Sequence, residues 1–282
     1  MPLIEGECFR CRAASPQLNS IPLILKRLQC IDRRIYDFKV YEADQLRRIR
    51  DHPNLITLYS FWSEKSNSPY VYKVLVLLLE DTSLGTLEDY INEKDTRDIR
   101  FLLKCTGDVT KALLTLHTLN IIHGGVKPSA VYIGADKRLV LGELSRAEMD
   151  VARQTKQLVT NMLLANTIPD TLIYWAPELF KDTVYTSAID MWALGVMLYR
   201  LATHKSPFRL FDEASFSEDL LSGNVNWEEV LMLPELEVLL RHLIVVDPKK
   251  RWDAKDVLSY IQSYLIIDIQ RCWRGCKFMN KK

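Results

Sequence analysis

The sequence predicts an α+β fold in which strands come early and helices dominate the later part. Three observations carry this reading. Val74–Leu79 is a continuous apolar run without alternation, the pattern of a strand buried on both faces. Ile99–Leu119 places Leu102, Leu103, Val109, Ala112, Leu113 and Leu116 at helical spacing, and Ala188–Thr203 is a second, strongly apolar helix. The chain also has the material for large cores, with 282 residues of which 48% are hydrophobic. In order, Tyr41–Asp51 reads as a helix with Leu46 and Ile49 facing the core. Met232–Val246 and Ala254–Ile267 read as two further helices. The tail, residues 271–282, is basic with one tryptophan, Trp273, and reads as solvated.

Composition narrows the function classes. A formal net charge of +1 gives no case for nucleic acid or an anionic membrane surface. No run of about 18 apolar residues and no signal-peptide pattern is present, so no membrane span is expected. The cytoplasm is the expected compartment, with the nucleus also open. The six cysteines, at 8, 11, 30, 105, 272 and 276, are expected as free thiols. Cys8–Cys11 and Cys272–Cys276 have pair spacing, but they lie at opposite ends of the chain without a nearby ligand histidine. No metal site is expected from them.

The most informative stretch is His123-Gly124-Gly125-Val126-Lys127-Pro128-Ser129-Ala130. It resembles the protein-kinase catalytic loop H-R-D-L-K-P-x-N, in which the Asp accepts the substrate hydroxyl proton and the Asn holds Mg²⁺. Other motifs follow the same family in the same order. His52-Pro53-Asn54-Leu55-Ile56 resembles H-P-N-I-V, and Leu141-Gly142-Glu143-Leu144-Ser145 sits where x-x-D-F-G belongs. Trp175-Ala176-Pro177-Glu178 resembles A-P-E, Asp190–Gly195 resembles D-x-W-x-x-G, and Asp247–Arg251 resembles D-P-x-x-R. The resemblance runs from about residue 4 to residue 265. It implies a two-lobed kinase-like domain over 1–270: a small β-rich lobe to about residue 80, a hinge at 80–83, and a larger helical lobe over 84–270.

The departures from the family pattern set the functional expectation. Gly125 replaces the catalytic Asp and Ala130 the metal-binding Asn, and neither side chain can take a proton or bind a metal. Lys127 matches the loop lysine that contacts the transferred phosphate. Glu143 replaces the D-F-G Asp; it keeps a carboxylate but is one methylene longer, and Mg²⁺ tolerates little change in geometry. A second register sets Leu141-Gly142-Glu143 against D-F-G and removes the carboxylate from the metal position. Ile4–Arg10 takes the position of the glycine-rich loop, with Glu5, Glu7 and Arg10 at the glycine sites, so two carboxylates would face a triphosphate.

Ile21–Arg27 resembles the V-A-I-K strand, which assigns Lys26 as the phosphate-pairing lysine and Glu42 as its helix partner. Lys39 is the rival for the strand position, but it lies too near Glu42 for a strand to end and a helix to begin. The nucleotide region implied by the resemblance is lined by Ile24, Leu79, Glu80 and Tyr132. Ile24 stands where the roof alanine belongs and Tyr132 where a mid-sized floor aliphatic belongs, so both intrude on a flat ring. Gly124 replaces the arginine that grips an activation-loop phosphate, and Thr155, Thr160, Thr167 and Thr171 carry no phosphosite assignment. The structural residues of the family are present: His123, Leu144, Glu178, Asp190 and Arg251, with Glu178 and Arg251 expected as a buried charge pair and Leu46, Leu58, Leu144 and His123 as an apolar column.

Removing a general base alone costs roughly 10²–10⁴-fold in rate. With base, metal ligand and phosphate loop all altered, the expectation is an inactive kinase homologue. ATP and Mg²⁺ binding is expected to be weak or absent. The expected role is that of a scaffold or allosteric regulator bound to a protein partner, such as an active kinase or signalling complex. Two alternatives are a divergent serine/threonine-type kinase using Glu143, and a nucleotide sensor without turnover.

Overall fold

Nine consecutive residue pairs zip β1 (Ile4–Arg12) to β2 (Pro22–Cys30) in antiparallel register, from Ile4 opposite Cys30 to Arg12 opposite Pro22. This computed structural model describes residues 4–12, 22–49, 52–82, 84–93, 98–134, 137–142, 144, 171–181, 184–210, 213–231 and 233–265. β3 (Leu58–Glu64) and β4 (Lys73–Glu80) complete a four-stranded sheet in the order β1-β2-β4-β3. β4 lies between two neighbours, and Val74, Leu75, Val76, Leu77 and Leu79 are all buried, which accounts for its unbroken apolar run.

Two expectations are corrected in this region. Ile4–Arg10 is not a loop but most of β1, paired along its whole length. Glu7 stands opposite Arg27, and the two form an exposed cross-strand pair at 3.4 Å, so its carboxylate belongs to the sheet rather than to a phosphate cradle. The helix predicted from Tyr41 is α1, Arg33–Arg48. Asp32 caps it by accepting from the Ile35 amide at 2.9 Å, and Arg47 and Arg48 close it in the last turn, where cations suit the helix dipole. The buried stripe of α1 is Ile35, Lys39, Glu42, Ala43 and Leu46. Two charged residues inside that stripe hide its period from a purely apolar count.

The chain divides into two compact units, residues 1–94 with 122–172 and residues 95–121 with 173–282. The first unit holds the sheet, α1, the short α2 (Leu87–Glu93) and the hairpin of β5 (Val131–Ile133) and β6 (Leu139–Leu141). Thr86 and Asp89 cap α2 reciprocally: each backbone amide donates to the other's side chain, at 2.8 and 3.3 Å.

The second unit is helical. α3 (Ile99–Thr118) is capped by Asp98, which accepts from the Arg100 amide. α4 (Ala188–Thr203) matches its predicted bounds and is buried on nearly every side, which explains why it reads as apolar all round. A Cβ on its Gly195 would lie 2.8 Å from Leu243 Cβ, so this glycine permits close packing against α6 (Pro234–Leu243). That helix is shorter than the expected Met232–Val246, because Pro234 in the first turn sets its start. α5 spans Glu213–Ser222 and a last helix, α7, covers 254–265. Cys105, buried in α3, has its thiol pushed up to about 12, mainly by desolvation, and stays protonated.

The expected charge pair forms within the second unit. Arg251 donates to both Glu178 oxygens, at 2.7 and 3.0 Å, and to the carbonyls of Ala188 (2.7 Å) and Val245 (2.8 and 3.0 Å). Its guanidinium also lies 5.1 Å from the centre of the Trp192 ring. A second cluster joins Asp219 of α5 to Arg209 (2.7 and 2.9 Å), the Arg209 amide (2.9 Å) and the Asn224 amide group (2.8 Å). Hydrogen bonding to Arg209 holds the Asp219 carboxyl down at about 2.

Two predictions follow from these clusters. Glu178→Ala leaves Arg251 buried without its carboxylate and should destabilise the protein by about 3–5 kcal/mol, read from denaturant unfolding. A folded-state value near 2 against 3.8 unfolded means that the contribution of Asp219 is present above about pH 4 and lost as pH falls through 2. The stability gap between wild type and Asp219→Asn should therefore shrink as unfolding midpoints are measured from pH 5 down to pH 2.

Candidate functional site

The loop His123–Ala130 keeps its frame through backbone contacts. His123 is fully buried, and its Nδ1 accepts from the Gly125 amide at 3.1 Å. Gly124 adopts φ +75°, a left-handed conformation that glycine takes freely and any side chain would strain. Pro128–Ala130 makes one tight turn, closed by the Ala130 amide on the Lys127 carbonyl at 2.9 Å. β5 leaves from that turn and pairs with β6, with Val131 opposite Leu141, Tyr132 opposite Val140 and Ile133 opposite Leu139.

The His52-Pro53-Asn54 segment holds β6 from its other side. The buried Asn54 side chain donates to the Leu139 carbonyl at 2.9 Å, the Leu141 amide donates to the Asn54 carbonyl at 2.9 Å, and the Ile56 amide donates to the Leu141 carbonyl at 2.9 Å. His52 Nδ1 accepts from the Asn54 amide at 3.1 Å and fixes that turn. Arg138 bridges Glu80 (3.0 Å) and the Pro53 carbonyl (3.1 Å), and Glu80 also accepts from the Thr57 amide (3.0 Å). Glu80, expected to line a nucleotide region, thus has both oxygens in structural bonds.

Tyr132 and Gly142 form a matched pair. A Cβ on Gly142 would lie 2.5 Å from Tyr132 Cε2 and 2.9 Å from the Ala130 carbonyl oxygen, to which the Gly142 amide donates at 2.7 Å. The tyrosine ring therefore covers the backbone two residues before Leu144. Ile24 stands directly opposite Leu79 in the sheet, so the two share a face, and Lys26 lies on the same face as Ile24, between Cys8 and Leu77.

On α1, Glu42 is buried and its carboxylate lies 2.8 Å from Lys39 Nζ, three residues earlier on the same helix. Lys39 also donates to the Leu144 carbonyl at 2.8 Å. Lys39 is therefore a helix residue that ties α1 to Leu144. The sequence signal for it was the i,i+3 spacing with Glu42. Tyr132 over Gly142 had no such signal, since the two positions meet only through the β5–β6 pairing. Leu46, Leu58, Leu144 and His123, the residues expected in an apolar column, are all buried. Glu143, Thr155, Thr160, Thr167, Cys272, Cys276 and the tail 271–282 lie outside the described residues.

In the second unit, Asp190 is 1% exposed and accepts from His117 Nε2 at 2.9 Å, which joins α4 to α3. Among the described residues, no group of three or more His, Cys, Asp or Glu side chains is arranged to hold a metal. Cys8 and Cys11, three apart on a strand, point to opposite faces. No helix among the described residues is long and apolar enough to cross a membrane.

The protein kinase domain profile matches residues 17–261. The chain is 30% identical over 248 residues to cAMP-dependent protein kinase catalytic subunit 3 of Drosophila melanogaster, covering 87% of this chain and 39% of that protein. It is 25% identical over 256 residues to Aurora/IPL1-related protein kinase 2 of Caenorhabditis briggsae, covering 90% and 78%. Against probable serine/threonine-protein kinase nek2 of Dictyostelium discoideum it is 25% identical over 228 residues, covering 78% and 51%, so it spans about half the length of that relative. Among solved structures, Rad53 1-466 in complex with AMP-PNP has the same fold at TM-score 0.66 and 19% identity, covering 87% of this chain and 59% of that one.

The Tyr132–Gly142 pair makes its own prediction. Gly142→Ala should cost about 1–3 kcal/mol by overpacking. Combining it with Tyr132→Leu should recover part of that loss, because the ring yields but the Ala130 carbonyl does not. Denaturant unfolding of the single and double variants measures both numbers, and equal stability of Gly142→Ala and wild type would remove the pair.

Proposed function

Since the chain belongs to the protein kinase domain family, we propose that it is an inactive member, a pseudokinase that works through protein contacts. It acts as a scaffold or allosteric regulator of a signalling partner, in the cytoplasm or nucleus. The observation that carries this reading is a catalytic loop whose frame is intact while Gly125 and Ala130 offer neither a base nor a metal ligand.

The residues present do not fit an Mg²⁺–ATP complex. The segment expected as a glycine cradle is a paired strand. Tyr132 lays its ring against Gly142, at the position the resemblance assigns to the floor beneath a flat base. Of the two family positions that hold metal, only Glu143 keeps a donor, one methylene longer than the Asp it replaces, and Mg²⁺ demands near-ideal octahedral geometry. Lys39 forms an ion pair with Glu42 and donates to the Leu144 carbonyl, so α1 is tied to Leu144 by its own side chains. The names of the relatives favour a second reading, a divergent serine/threonine kinase in which Glu143 holds the metal and Lys26 the phosphates.

A thermal-melt titration with ATP, with and without Mg²⁺ or Mn²⁺, separates these readings. Binding to the folded state adds about 2.7 kcal/mol at a hundredfold excess over Kd. The expected outcome is an unchanged melting temperature at millimolar ATP in every condition. A metal-dependent rise would favour the divergent kinase, and a metal-independent rise a nucleotide sensor.

A further inference from the structure

α3 carries a glycine, Gly107, in mid-helix, where glycine costs about 1 kcal/mol relative to alanine. Packing does not account for it. The backbone is buried, yet a Cβ built there would meet no heavy atom within 4 Å. The space it points into is a groove of about 820 Å³ between α3 and α7. Its apolar wall includes Leu103, Ile261 and the half-exposed Leu265. Its α3 rim carries Arg100, Lys104 and Lys111 around a single acid, Asp108. Asp108 pairs with both Lys104 and Lys111, whose side chains remain 46% and 55% exposed. Three cations thus face one carboxylate along an apolar trough.

We propose that this groove docks an acidic amphipathic helix of a protein partner. The apolar face of such a helix fills the trough, the gap at Gly107 admits one large side chain against the α3 backbone, and its acidic residues meet the cationic rim. The charge pattern argues against two other occupants. The chain's own C-terminal segment is basic, with Arg271, Arg274 and Lys277. A second copy joined by a two-fold axis through this groove would set the same cationic rim against itself. All the lining residues belong to the second unit, so the inference stands whether or not the first unit binds nucleotide.

The test is fluorescence anisotropy on the full chain. The probe is a labelled amphipathic peptide with Leu and Ile on one face and Glu on the other, and the control is the same peptide with Lys in place of Glu. The Glu peptide should bind and the Lys peptide should not. Gly107→Phe fills the gap and should weaken binding at least about tenfold. Lys104→Glu should weaken it and flatten its salt dependence. If Gly107→Phe fails to fold by circular dichroism, Lys104→Glu and Leu265→Glu carry the test, both being at exposed positions. Equal binding of the two peptides, or equal affinity in wild type and Lys104→Glu, overturns the proposal. Binding that appears only with Ile269→Asp and Trp273→Asp makes the chain's own tail the occupant. A dimer seen in sedimentation and dissociated by the groove variants makes it a second copy. Either outcome also overturns the proposal.

Discussion

A charge taken out of water must find its partners inside the protein, and this constraint governs both units. Arg251 is the clearest case. Its guanidinium is buried against Glu178, two carbonyls and the Trp192 ring, so every face of the group is answered. The partners come from the segment at 177–180, the start of α4 and the turn at 245, elements far apart in sequence. Removing the charge therefore releases three pieces of chain at once. Asp190 with His117, and Asp219 with Arg209 and Asn224, repeat the device at smaller scale.

In the first unit the same logic holds α1. Lys39 and Glu42 are buried one turn apart and pair with each other, and Lys39 spends a further proton on the Leu144 carbonyl. The catalytic loop and β6 are likewise fixed by backbone bonds from His123 and Asn54, and by a glycine at φ +75°. These contacts reach Gly125 and Ala130 through backbone atoms alone and need no side chain at either position. Because the bonds run through the backbone, the loop keeps its shape with glycine and alanine at those positions.

Much of this was legible in the sequence because it rests on local pattern or ordered motifs. The buried run at 74–79 and α4 at 188–203 follow from the apolar pattern, and the Glu178–Arg251 pair follows from the resemblance to the A-P-E and D-P-x-x-R motifs. What was not legible depends on pairing across the chain. Ile4–Arg10 alternates only over Ile4–Cys8, with glycine at one of the uncharged positions, and its pairing with β2 is what marks it as a strand. The start of α1 was hidden because Lys39 and Glu42 sit on its buried face, where an apolar count expects neither. Tyr132 meets Gly142 through hairpin register, and the groove beside Gly107 exists only once α3 and α7 pack.

The most direct test of the account is phosphoryl transfer itself. The full chain would be incubated with radiolabelled ATP and Mg²⁺ or Mn²⁺, alone and with a generic protein substrate, beside a Lys26→Ala variant. The account predicts no label above the background shared by wild type and variant. Label transferred by wild type and lost in Lys26→Ala would show a working nucleotide site and contradict it.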